Sequence, residues 1–177
     1  SFWDIFETSA PFRSSDYNPE MFYIYPFDLS LFKSVQVGLE HESNGEDGLE
    51  SRAWNKPYLE FNLTKEFQIP RYNRRHQLSL SPRAWGLIFA KGDNNNNIED
   101  FLSYWQVTAA LEDHDKMYRL GVEVREKSML VDLSGRFSKM RQGFYLHLHY
   151  WNGYGERLIS YDRHTHRIGL GASFIKW

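Results

Sequence analysis

At 177 residues and a net charge of −2, the chain is long enough for one core and lacks the basic excess of a nucleic-acid binder. It holds no cysteine, which excludes a disulfide framework and thiolate metal sites. Aromatic residues reach 17% although mean hydropathy is −0.61, a pairing that suits strands with one polar and one apolar face.

Taken in order, Ser1 to Thr8 reads as the tail of a strand, with no basic-then-apolar leader pattern over the first 25 residues. Residues 20–30 form a second strand with less clean faces. Next, Val35, Val37 and Leu39 alternate with Gln36, Gly38 and Glu40. Pro57, Leu59, Phe61 and Leu63 alternate with Lys56, Tyr58, Glu60 and Asn62. The stretch 77–91 is a strand of mixed faces. Then Trp105, Val107, Ala109 and Leu111 face away from Gln106 and Thr108, and Tyr118, Leu120, Val122 and Val124 away from Arg119, Glu123 and Arg125. Met129, Val131 and Leu133 oppose Asp132, Ser134 and Arg136; Phe144, Leu146, Leu148 and Tyr150 oppose Tyr145, His147 and His149. Ile168, Leu170, Ala172 and Phe174 complete the series, opposite Arg167, Gly169, Gly171 and Ser173. Such alternation predicts nine strands and a fragment in one all-β antiparallel meander.

Polar connections at 44–50, 92–97 and around 153–164 fall on one rim by strand counting. Short turns around 112–116 and 138–142 fall on the other, where 64–76 reads as an unusually long basic turn. No apolar run approaches the roughly 20 residues of a spanning helix. Charges such as Arg119, Glu123, Arg125, Asp132 and Arg136 share one strand face. Burying them in a soluble core would be costly, whereas a transmembrane β-barrel puts its polar face inside and its apolar face toward lipid. A soluble sandwich or lipocalin-like barrel would bury the apolar face instead.

The chemistry concentrates in His41-Glu42-Ser43-Asn44-Gly45, answered by Ser51-Arg52-Ala53-Trp54-Asn55. Residues i and i+2 of a strand share a face, so His41 and Ser43 project together. A turn centred on Gly48 makes Asn55 the antiparallel partner of His41, with Cβ atoms roughly 5 Å apart. Parity puts all three on the apolar, outward face at the strand ends. A base, a hydroxyl and an orienting amide make serine a nucleophile. Alternatively, His-x-Ser merely marks a strand entering a polar turn.

These motifs resemble the outer-membrane phospholipase A family of Gram-negative bacteria. Supporting them are Ala10-Pro11-Phe12-Arg13 with Tyr17-Asn18-Pro19, and Gly153-Tyr154-Gly155-Glu156 with Leu158-Ile159 and Tyr161. The resemblance covers nearly the whole chain. It implies a twelve-stranded barrel in the bacterial outer membrane, calcium-dependent hydrolysis of phospholipid acyl esters, and activation as a homodimer. By position, His41, Ser43 and Asn55 are similar to the catalytic base, nucleophile and orienting amide, and Gly45 to the oxyanion-hole donor. Glu46 and Ser51 are similar to calcium ligands acting largely through main-chain oxygens, and Ser9 to the serine supplied by the partner subunit. Two departures stand out: Glu46 replaces a basic residue, and Gly48 an acidic one that supports a second calcium position.

By this resemblance, residues 1–177 form a single β-barrel domain without the family's first two strands, so that the chain is a fragment or its barrel has an open seam. The other readings are a catalytically inactive, porin-like or structural barrel, and a soluble barrel holding a lipid inside. His147 with His149, and His164 with His166, share strand faces in pairs, but lumen lining and a loop–strand junction account for them without a metal. The Arg71 to His76 cluster reads as a solvated turn. No Gly-x-Ser-x-Gly elbow is present, which counts against an α/β-hydrolase.

Overall fold

A computed structural model of the protein describes residues 2–3, 12–14, 16–46, 48–70, 74–88, 97–136 and 144–174. Two short strands, β1 (Phe2–Trp3) and β2 (Phe12–Ser14), pair with each other. The remaining nine are β3 (Glu20–Pro26), β4 (Phe32–Ser43), β5 (Ala53–Ile69), β6 (Arg74–Trp85), β7 (Trp105–Asp113), β8 (Tyr118–Arg125), β9 (Ser128–Arg136), β10 (Tyr145–Gly153) and β11 (Thr165–Ser173). They form one antiparallel sheet in which each strand pairs with its chain neighbours. The expected meander is therefore present. Among the described residues β3 and β11 are its two free edges.

The two faces of the sheet are sorted by polarity, in the opposite sense to a soluble sandwich. Outward residues such as Leu39 and Leu59 remain 41% and 40% exposed. Their chain neighbours Glu40 and Tyr58, on the other face, are 8% and 5% exposed. Deep burial of a polar face in a single sheet requires that the sheet curl around it. The outward rows continue through Leu78, Leu80, Leu120, Leu133, Leu146 and Leu148, all exposed. This is the wall a strand protein presents to hydrocarbon.

Charged side chains cross-link the inner face. Lys56 Nζ lies 2.7 Å from Glu40 Oε1 and 2.8 Å from Glu42 Oε2. Arg83 reaches Glu60 at 2.6 Å, Glu20 and Glu40 each at 3.2 Å, and stacks over the Tyr58 ring. It thereby joins β3, β4, β5 and β6. Each of these inner-face ions thus has a partner, which is the condition for placing it there at all.

One sequence expectation changes. Residues 64–69 and 74–76 are not a long turn but continuations of β5 and β6, paired from Thr64↔Ser79 to Ile69↔Arg74. Lysine, arginine and histidine there mimic a solvated turn because that end of the hairpin leaves the apolar belt. At the other end, Trp54 from the inner face packs with Ile98, Leu102, Leu158 and Tyr161. The connections before β7 and before β11 thus meet over the interior, on the rim that strand counting assigns them.

Candidate active site

β4 and β5 bring the site together through their register. His41 lies opposite Asn55, and Ser43 opposite Ala53, as a turn centred on Gly48 requires. His41 Nδ1 and Asn55 Oδ1 are 2.9 Å apart. A carboxamide oxygen can only accept, so with the amide in this orientation Nδ1 carries the proton and Nε2 offers its lone pair. All three residues are half-buried and share the parity of Val37, Leu39 and Leu59 on the outer wall. Among the described residues no hydrogen bond joins the Ser43 hydroxyl to His41. Such bonds commonly tighten only when substrate is bound.

The backbone at Ser43 is held from both sides. Its N–H donates to Tyr17 O at 2.9 Å, and its carbonyl accepts from Tyr17 N at 2.7 Å. His41 N–H donates to Pro19 O at 2.9 Å. The Tyr17-Asn18-Pro19 segment thus runs alongside the end of β4. Gly45, in the left-handed region at φ 67°, would place a Cβ 2.7 Å from the Tyr17 ring, so only glycine fits. Tyr17 is 59% exposed and forms the outer border of the site. In the sequence Tyr17 is marked only by the Tyr17-Asn18-Pro19 triplet.

Behind the site, on the inner face, Lys56 grips Glu40 and Glu42, the residues that flank His41, and Trp54 Nε1 donates to Glu42 Oε2 at 2.6 Å. Asp16 lies close by. Burial first, and then the charge of Glu42, raises its carboxyl above the ordinary value. Its Oδ1 has no hydrogen-bond partner among the described residues.

The candidate calcium ligands are placed unevenly. Glu46 is exposed, Ser51 is half-buried, and Ser9 lies outside the described residues. The Ser51 carbonyl accepts from Arg52 Nη1 at 2.8 Å, so this oxygen already receives a cationic donor. Among the described residues no group of three or more His, Cys, Asp or Glu could hold a metal. A cation here would rest on main-chain and hydroxyl oxygens, a donor set that suits calcium and not a transition metal. Elsewhere, His147 Nε2 meets Ser173 Oγ at 3.0 Å and His149 sits 3.6 Å from Asp132. Both are thereby accounted for as inner-face residues.

The family model described as Phospholipase A1 matches residues 1–174. A putative phospholipase A1 of Neisseria meningitidis serogroup B is 30% identical over 97% of this chain and 46% of its own length. Phospholipase A1 of Proteus vulgaris is 27% identical, over 97% of this chain and 58% of its own. The chain therefore spans about half the length of these curated relatives. Among solved structures, the calcium-bound dimer of Salmonella typhi outer membrane phospholipase superposes with a TM-score of 0.74 at 24% identity, covering 96% of this chain and 65% of that one. Outer membrane phospholipase A of Escherichia coli gives 0.72 at 22%, covering 96% and 66%. A variant of the latter altered at an active-site asparagine gives 0.69 at 23%. At these identities the superpositions speak to the fold alone, and they agree with the polarity-sorted meander. With nearly its full length matched by the family model, the chain belongs to the phospholipase A1 family.

Proposed function

We propose that this protein is an outer-membrane serine esterase that hydrolyses acyl esters of phospholipids, with calcium as cofactor and a homodimer as the active state. The observation that carries this reading is the 2.9 Å His41–Asn55 contact on the outer wall, with Ser43 on the same face of the same strand. Three polar groups exposed to hydrocarbon without purpose would be unfavourable. At the end of the apolar rows they lie where ester linkages of lipids begin.

In this mechanism His41 Nε2 accepts the Ser43 proton as Oγ attacks the ester carbonyl carbon. The lysophospholipid alkoxide leaves with that proton, and water then cleaves the acyl-serine by the same route in reverse. Asn55 keeps the imidazole in the Nδ1–H tautomer. The Gly45 N–H meets the oxyanion. Calcium, when bound, supplies the positive charge that a neutral orienting amide lacks. Ser51 and Glu46 are the residues of this chain that would hold it through carbonyl oxygens, with Ser9 the candidate from a second subunit. The Salmonella protein, a dimer with bound calcium, supports both the ion and the dimer.

The test is fatty-acid release from phospholipid–detergent mixed micelles, with calcium and then with chelator. Calcium-dependent release that disappears in Ser43→Ala is expected. Equal, negligible hydrolysis in all arms would leave a passive barrel.

A further inference from the structure

We infer that Asn44 is a positioning residue that sets the 45–46 and 51–52 peptides, and through them the backbone beside the oxyanion donor and the Ser51 carbonyl offered to calcium. The inference rests on the proposed esterase reading and deepens it. Asn44 is the first residue beyond β4, next to Ser43, and is 2% exposed although Gly45 and Glu46 beside it are exposed. Burying a carboxamide is unfavourable unless its donors and acceptor are used. Here they are used on both limbs of the loop. Nδ2 donates to Glu50 O at 2.7 Å. Oδ1 accepts from Arg52 N at 2.9 Å and from Glu46 N at 3.4 Å. The Asn44 backbone N–H adds a bond to Arg52 O at 3.1 Å.

The consequence follows from the trans peptide, in which C=O and N–H point in opposite directions. Holding the Glu46 N–H toward Asn44 turns the Gly45 carbonyl away. Holding the Arg52 N–H toward Asn44 turns the Ser51 carbonyl away, to the side where it receives Arg52 Nη1. One buried side chain thus orients the peptide that follows the oxyanion donor and the peptide that carries the proposed Ser51 ion ligand. Aspartate lacks the Nδ2 donor and would face the Glu50 carbonyl with negative charge. Alanine would leave all three backbone groups without this partner.

The test compares Asn44→Ala and Asn44→Asp with wild type as detergent-solubilised full chains. Measured are kcat and KM on mixed micelles, calcium binding by calorimetry, and the rate at which a long-chain sulfonyl fluoride labels Ser43. For Asn44→Ala, kcat and the labelling rate are expected to fall about 100-fold, the size of losing one oxyanion donor, with KM within about threefold. The calcium Kd is expected to rise about tenfold, and the circular dichroism of the sheet to stay unchanged. Asn44→Asp should fall between the two, since it keeps the bonds it accepts, and it carries the test if Asn44→Ala does not fold. Wild-type kcat, labelling and calcium binding in the folded variant would overturn the role of Asn44 while leaving the esterase standing. A wild type that neither labels nor releases fatty acid would overturn the esterase reading itself.

Discussion

Two histidines project from the same outer wall, each directly across the ladder from a polar residue, and they differ in what surrounds them. His41 opposes Asn55 at one end of β4 and β5; His76 opposes Asp113 at the other end of β6 and β7. His41 is half-buried and bonded to the residue it opposes. His76 is 3% exposed, stacks on Phe67 and bonds through Nε2 to Tyr118 OH at 2.6 Å, while its Nδ1 has no partner among the described residues. Asp113 is wholly buried and, among the described residues, pairs only with Arg74, at 3.6 Å. A histidine facing a carboxylate looks more like a catalytic pair than one facing an amide, yet the positions that share the His76 face on its own strand are Arg74 and Leu78. Under the proposed esterase reading, the distinguishing features are the hydroxyl two residues along and the half-exposed setting, not the histidine's immediate partner.

The largest expected effect separates the two clusters outright. Ser43→Ala should reduce fatty-acid release by at least about 10³-fold while the sheet stays folded. Turnover that survived would remove Ser43 as nucleophile. Asn55→Ala comes next, with an expected loss in kcat of about 10²-fold, since the imidazole would lose its tautomer control. A wild-type rate there would show that His41 needs no orienting partner.

Lys56→Met probes the support behind His41. It takes the cation from Glu42 and leaves Glu40 with the Arg83 cation alone, and should cost about 3 kcal/mol in denaturant titration of the detergent-solubilised protein. An unchanged midpoint would mean that water already screens these ions. Asp113→Asn, at the other cluster, removes a buried charge whose oxygens have no hydrogen-bond partner among the described residues. It should leave activity within about twofold and stability equal or higher by about 1 kcal/mol. A fall in activity would give the His76 cluster a role in turnover.

The smallest effect concerns pH. Burial and Glu42 raise the Asp16 carboxyl above its unfolded value of 3.8. The folded state therefore holds this proton more tightly, and the stability it contributes is present below that value and lost as pH rises through the folded-state pKa. Asp16→Asn should accordingly raise the melting temperature slightly at pH 7 and not at pH 3. Equal shifts at both would assign the effect to packing.

Much of this was legible in the sequence because strand parity is a strong signal. Once Val37, Leu39, Leu59 and Phe61 are aligned in twos, the outward placement of His41, Ser43 and Asn55 follows without coordinates. The His41↔Asn55 register followed from one glycine, Gly48, which has φ 57°. What stayed hidden depends on contacts that periodicity does not encode. Asn44 reads as an ordinary turn residue, and its burial becomes visible only when 46, 50 and 52 fold around it. The β5–β6 extension was hidden because charged residues beyond the apolar belt look alike in strand and turn. His76 and Asp113 are far apart along the chain, with no motif linking them.

The apolar knot of Trp54, Ile98, Leu102, Leu158 and Tyr161 bears on transport. A conduit needs an unobstructed aqueous path, but here packed rings and aliphatic groups from two connections meet Trp54 at one end of the polar face. Farther in, any permeating ion would have to displace Arg83 from three carboxylates. An esterase working from its outer wall, as proposed above, needs no aqueous path, and a planar bilayer holding the protein should pass no steady current.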